Sequence, residues 1–155
     1  MKKTLFSVIF SVVFLAGIVS VSNAQTVSGS IGNGTISRGG SARGTIVLSV
    51  PGGLHVNSNR PGNQYQIPTT IRLTAVGAKA GAVSYPRGKN RTFGFSDGAI
   101  NVYDGSTAFN FNVAVPKTFN GNIVRVRAVV KYQACTDEVC YPPKSKEVTL
   151  TARVK

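Results

Sequence analysis

A chain of 155 residues is long enough to bury a real core in one domain, and its 18 Lys and Arg against five Asp and Glu give a formal net charge of +13. One histidine, five acids and no nucleophile motif leave little from which to build a hydrolytic triad, which makes a hydrolase a distant reading. Two cysteines and that histidine fall short of a structural zinc ligand set, so neither a metal nor a cofactor is expected.

Lys2 and Lys3 lead an apolar run from Leu5 to Val19 that is interrupted by Ser7 and Ser11. Ser22-Asn23-Ala24 then offers small residues at the positions a signal peptidase reads, so residues 1–24 read as a cleaved secretory signal peptide. A membrane anchor is the competing reading, but the run is short for a spanning helix. No second long apolar run follows, and the mature chain is expected to have no membrane span. The expected compartment is the periplasm, with secretion as second choice. Either is oxidising, so a disulfide between the two cysteines would persist.

Basic residues are scattered along the mature part, and only Arg87 to Arg91 is dense. A nucleic-acid module would pair such a patch with stacking aromatics or a recognition helix, and no nucleic-acid partner is expected. The charge reads as a soluble basic surface, or as steering toward an acidic protein partner.

After the signal peptide, Gly and Pro punctuate short runs rich in Val, Ile, Thr and Phe, which is a strand pattern. Residues 25–40 are Gly- and Ser-rich and read as a flexible lead-in or edge strand, ahead of a β-sandwich domain over 41–155. Gly44 to Val50 is the first firm strand, and Leu54 to Asn57 resumes an extended course after the Pro51-Gly52-Gly53 turn. A loop over Asn59 to Pro68 leads to a strand at Thr70 to Val76, with Ile71, Leu73 and Ala75 on one face. Ala82 to Tyr85 reads as a short strand, Gly88 to Gly98 as a polar loop holding Phe93 and Phe95, and Ile100 to Tyr103 as another short strand. Phe109, Phe111, Val113 and Val115 then alternate with Asn110, Asn112 and Ala114. The longest strand, Ile123 to Gln133, has Val124, Val126, Ala128, Val130 and Tyr132 on one face. The last places Val148, Leu150, Ala152 and Val154 inward. This is the pattern of an all-β, antiparallel two-sheet sandwich with one face of each sheet buried.

Cys135 continues the longest strand and Cys140 leads toward the last one, so the pair brackets a hairpin connection. Directly opposed residues there lie about 4.5–5.5 Å apart at Cα, a separation suited to a disulfide. As a staple, so short a loop contributes only about 2 kcal/mol by chain entropy. The residues alone leave a structural staple and a thiol–disulfide exchange site both open. Asp137 and Glu138 lie between the cysteines; they either oppose thiolate formation or are ordinary solvated turn residues.

The segment Lys131-Tyr132-Gln133-Ala134-Cys135 through Cys140-Tyr141-Pro142-Pro143 resembles the N-terminal periplasmic domain of the thiol:disulfide interchange protein DsbD. Leu54-His55-Val56-Asn57-Ser58-Asn59-Arg60-Pro61, Tyr65-Gln66-Ile67-Pro68-Thr69 and Phe93-Gly94-Phe95-Ser96 agree with it, and the likeness covers roughly residues 40–155. The resemblance implies an immunoglobulin-like sandwich and a component of thiol:disulfide interchange. Electrons would pass from a membrane-embedded donor to Cys135 and Cys140, then to thioredoxin-like periplasmic proteins. It also implies a cap loop that shields the cysteines, with Phe93 in the shielding position and Phe95 second. Tyr132 and Tyr141 are expected to pack around the pair. By the same analogy Cys140 bonds to the partner and Cys135 resolves. His55 reads as structural, since nothing in the sequence places it near the thiols. Lys89, Asn90 and Arg91 stand where the family carries acidic cap-loop residues, and the cysteine spacing is a residue shorter than in the best-known members. The chain is expected to lack the membrane and thioredoxin-like domains of full-length DsbD. The alternative function is an exported β-sandwich binding module with a purely structural disulfide.

Overall fold

The computed structural model describes residues 24–62 and 64–155; the signal-peptide reading of 1–24 lies almost wholly outside them. Among the described residues twelve strands occur, in the order β1 Thr26–Ile31, β2 Thr35–Ile36, β3 Ser41–Val50, β4 His55–Asn57, β5 Thr70–Ala75, β6 Lys79–Ala80, β7 Lys89–Arg91, β8 Ile100–Tyr103, β9 Gly105–Ala114, β10 Ile123–Tyr132, β11 Ala134–Cys135 and β12 Lys144–Val154. Among the described residues no helix is long and apolar enough to cross a membrane.

Two four-stranded sheets, ordered β1-β3-β9-β6 and β2-β12-β10-β5, form the layers of an immunoglobulin-like sandwich. Their pairings are antiparallel except for β2, which runs parallel to the end of β12. Alternation fixes which face turns inward. On β10, Val124, Val126, Ala128, Val130 and Tyr132 are buried while Arg125, Arg127 and Lys131 are exposed. Ile46, Leu48, Phe109, Phe111, Val113, Leu150 and Ala152 complete the core from the other long strands. Each such side chain contributes about 1.5–3 kcal/mol of transfer free energy on burial. Packing is close at Gly44, which pairs with Phe111: a Cβ there would sit 2.3 Å from the ring's Cζ, so glycine lets the aromatic lie across β3.

The lead-in takes the second of its two readings, and the strands differ from the sequence reading at two other places. The Gly- and Ser-rich lead-in holds β1, a six-residue edge strand on β3, in which a Cβ at Gly29 would sit 2.4 Å from Thr45 O and 2.8 Å from Leu150. Around Ala82 to Tyr85 only Ser84 makes a bridge, to Asn110, and the strand lies earlier, at Lys79–Ala80. The polar loop over 88–98 contains β7, which pairs with β8.

A third small sheet, ordered β11-β4-β8-β7, is what positions the cysteines. β4 follows β3, β8 runs into β9, and β11 follows β10. The third sheet is therefore fed from both layers of the sandwich, and its strand ends are anchored in the main core.

Candidate functional site

Cys135 and Cys140 form a disulfide, with Cα atoms 4.0 Å apart, across an isolated antiparallel bridge. The two cysteines differ in exposure: Cys135 is fully buried, whereas Cys140 is exposed. The intervening turn is closed by the Thr136 N–H donating to Val139 O at 2.8 Å and the Tyr141 N–H to Ala134 O at 2.8 Å. The Thr136 hydroxyl accepts from the Glu138 and Val139 N–H groups at 3.2 and 3.0 Å.

The strand beside the cysteines carries His55. It is the direct partner of Cys135 in the β4–β11 pair, so the structure brings together two residues that the sequence left apart. His55 is 1% exposed, and neither ring nitrogen has a hydrogen-bond partner. Its ring stacks on Phe93 at 4.3 Å between centroids, and Phe93 stacks on Phe95 at 5.3 Å. Three rings thus run from solvent inward: Phe95 is partly exposed at 41%, Phe93 is buried with Ile100 and Val102, and His55 lies beneath.

Arg91, at the end of β7, fastens this stack to the cysteine turn. Its guanidinium lies 5.1 Å from the Phe93 centroid and donates to Asp137 Oδ1 at 3.2 Å. Asp137 therefore has a cationic partner, and its oxygen is also 4.0 Å from His55 Nδ1. Lys89 pairs with Asp104 at 2.6 Å, while Glu138 stays on the exposed side of the turn. A second tie uses amides. Asn57 Nδ2 donates to Ile67 O at 3.0 Å and to Gln133 Oε1 at 3.4 Å, and Gln133 Nε2 donates to Tyr141 O at 3.1 Å. Tyr141 is half-exposed and lines a recess with Gln25, Leu54, Ala134 and Pro142. Tyr132 lies in the main sandwich core, its hydroxyl 3.4 Å from Gln25 Oε1. Among the described residues no cluster of His, Cys, Asp and Glu is arranged to hold a metal ion.

Burial disfavours the imidazolium of His55 and Arg91 repels it, so its pKa falls below 6.5, with Asp137 and Asp104 pulling the other way. The unfolded chain then takes up this proton at a higher pH than the folded one. Stability is full above the unfolded value of 6.5 and is lost as pH falls through it toward the depressed folded value. In denaturant melts the slope should approach, at most, about 1.4 kcal/mol per pH unit. His55 is the one histidine in the chain, and His55→Phe should flatten the part of the slope just below pH 6.5. A wild-type midpoint that does not move over this window would show that burial leaves the imidazole unperturbed.

The sequence missed Arg91 as a link and His55 as a neighbour of the cysteines. The signal was present as two separated motifs, His55-Val56-Asn57 and Tyr132-Gln133-Ala134-Cys135, which the third sheet sets side by side. A family profile described as thiol:disulfide interchange protein DsbD, N-terminal, matches residues 35–152. Among solved structures, the N-terminal periplasmic domain of ScsB from Proteus mirabilis is similar with a TM-score of 0.54 at 13% identity, covering 81% of this chain. The chain spans 44% of that structure's length. The Neisseria meningitidis DsbD N-terminal domain in its reduced form aligns with a TM-score of 0.44 at 20% identity, covering 71% of this chain and 80% of that one. No curated protein sequence matches at a significant level.

Proposed function

Because the chain belongs to the family of DsbD N-terminal domains, we propose that it is a periplasmic thiol–disulfide exchange domain. In this reading it relays reducing equivalents from a membrane-embedded donor to thioredoxin-like proteins, through Cys135 and Cys140. The observation that carries the proposal is the asymmetry of the pair: Cys140 is exposed and Cys135 is buried. On this reading an incoming thiolate attacks at Cys140 Sγ, because Cys135 is buried. Attack there forms a mixed disulfide and expels the electron pair onto Cys135 Sγ, which takes up a proton. A second thiolate of the donor then attacks its own sulfur and releases Cys140, leaving a dithiol. Transfer onward runs the same steps in reverse.

The cap fits the same reading. The Phe95–Phe93–His55 stack, tied to Asp137 of the cysteine turn by Arg91, ends on the residue paired with Cys135, which supports a shielding role on that side. Asp137 does not act as an isolated negative charge beside a thiolate, because Arg91 offsets it.

The reduction potential tests this directly, by equilibrating the protein with glutathione and dithiothreitol and counting alkylated thiols. A value above about −250 mV is expected, in the range of exchange proteins. A value below about −300 mV would make the bond a structural staple and favour a binding module.

A further inference from the structure

His55 is the one imidazole in the chain, and the exchange steps above do not use it. Its position is nevertheless specific. It is paired directly with Cys135, and such opposed residues project their side chains from the same face with Cβ atoms about 4.5–5.5 Å apart. Both residues are buried, His55 at 1% and Cys135 at 0% exposure. Neither nitrogen of the ring is hydrogen-bonded, a state that buried polar atoms normally avoid. Stacking on Phe93 holds the ring in place while its nitrogens stay unpaired. The missing partner has an evident source, because the neighbouring sulfur carries a hydrogen only when the disulfide is reduced.

We propose that His55 is the proton acceptor of Cys135, taking the Sγ proton as that sulfur closes the disulfide. The inference rests on the exchange reading and deepens it. In the dithiol form, Cys140 loses its proton to water and its thiolate attacks an acceptor disulfide. A bond forms from Cys140 Sγ to one acceptor sulfur, and the electron pair leaves on the other, which takes a proton from water. Cys135 then gives its proton to His55 and attacks Cys140 Sγ. The intramolecular disulfide forms, the bond to the acceptor breaks, and the departing thiolate takes the proton from the imidazolium. Two electrons and two protons reach the acceptor, and His55 ends neutral.

The groups around the ring suit this task. Phe93 of the cap loop covers one ring face, Arg91 from β7 disfavours the imidazolium, and Asp137 of the turn and Asp104 after β8 favour it. Burial and Arg91 outweigh the carboxylates, so the ring is neutral at pH 7 and ready to accept. Asp137, 4.0 Å from Nδ1, favours the tautomer with hydrogen on that atom and leaves the lone pair on Nε2.

The test is stopped-flow reaction of the reduced full chain with an aromatic disulfide, dithiobis(nitrobenzoate). Cys140 releases a first coloured thiolate on attack, and Cys135 releases a second on ring closure. In the wild type the second phase should stay nearly flat as pH falls through about 6.5 and drop only below the depressed His55 value. His55→Gln should slow that phase about 100-fold at pH 7 and make it climb about tenfold per pH unit as the rate comes to follow the thiolate fraction of Cys135. The first phase should be unchanged, which also shows that the variant is folded. A variant with both phases as in the wild type overturns the proposal alone. A wild-type second phase that climbs steadily through this range, with no plateau, overturns it without any variant. Wild-type protein that never closes its disulfide overturns both this proposal and the exchange reading.

Discussion

Replacing Cys135 with serine is expected to turn the protein into a trap. The exposed Cys140 remains free to attack a disulfide, and the buried sulfur that would release the product is gone. Incubated with oxidised thioredoxin as a probe, Cys135→Ser should accumulate a mixed disulfide that survives non-reducing electrophoresis and disappears with dithiothreitol. Cys140→Ser should show almost none. Its remaining thiol at Cys135 is fully buried and reacts only from locally opened molecules. If opening costs about 3 kcal/mol, the rate falls by about 100-fold. Both variants lose the closed loop, worth about 2 kcal/mol, so loss of the cross-link does not separate them. Equal trapping by both would mean that burial does not choose the reacting sulfur. A reversed pattern would assign attack to Cys135 and resolution to Cys140.

The second large effect is expected from Phe93→Ala. This ring stacks on His55 at 4.3 Å and on Phe95 at 5.3 Å, packs with Ile100 and Val102, and carries the Arg91 guanidinium. Removing it should cost stability of about 3 kcal/mol, the low end for a buried phenylalanine, because its cluster is small. Reduction of the disulfide by dithiothreitol should accelerate about tenfold, a change equivalent to about 1.4 kcal/mol of lost shielding. Phe109→Ala is the control, since it makes the same truncation in the main core. It should destabilise at least as much and leave the reduction rate near wild type. Equal acceleration in both variants would trace the effect to general loosening, and no acceleration in Phe93→Ala would remove the stack as a shield.

The long strands were legible because each has one buried face. The alternation of β10 or β9 survives in the sequence as a period of two, and no partner need be known to read it. In the third sheet Leu54 to Asn57 and Ile100 to Tyr103 read as extended from the sequence, but the pairing of these short strands was not legible. Three residues at His55–Asn57, all buried, show no alternation, and Lys89–Arg91 is polar throughout. Their strand character comes from pairing with neighbours distant in sequence, which composition does not record. The same physics divides the site. The cysteines announced themselves by residue type and spacing, and Phe93 and Phe95 by the family likeness. His55 beside Cys135 and Arg91 on Asp137 are facts of register and of a loop's fold, linking residues 80 and 46 positions apart.

The course of β12 has a practical consequence for handling the protein. The eleven-residue strand begins at Lys144, opposite Tyr132 and just past the cysteine turn, and ends at Val154. At about 3.3 Å per residue, the last residue lies some 30 Å from the disulfide. Gln25, by contrast, lines the recess that Tyr141 shares. A fluorophore or sensor-chip linker should therefore be coupled at Lys155, where it leaves the cysteine pole clear. One coupled beside Gln25 would stand in the path of any docking protein.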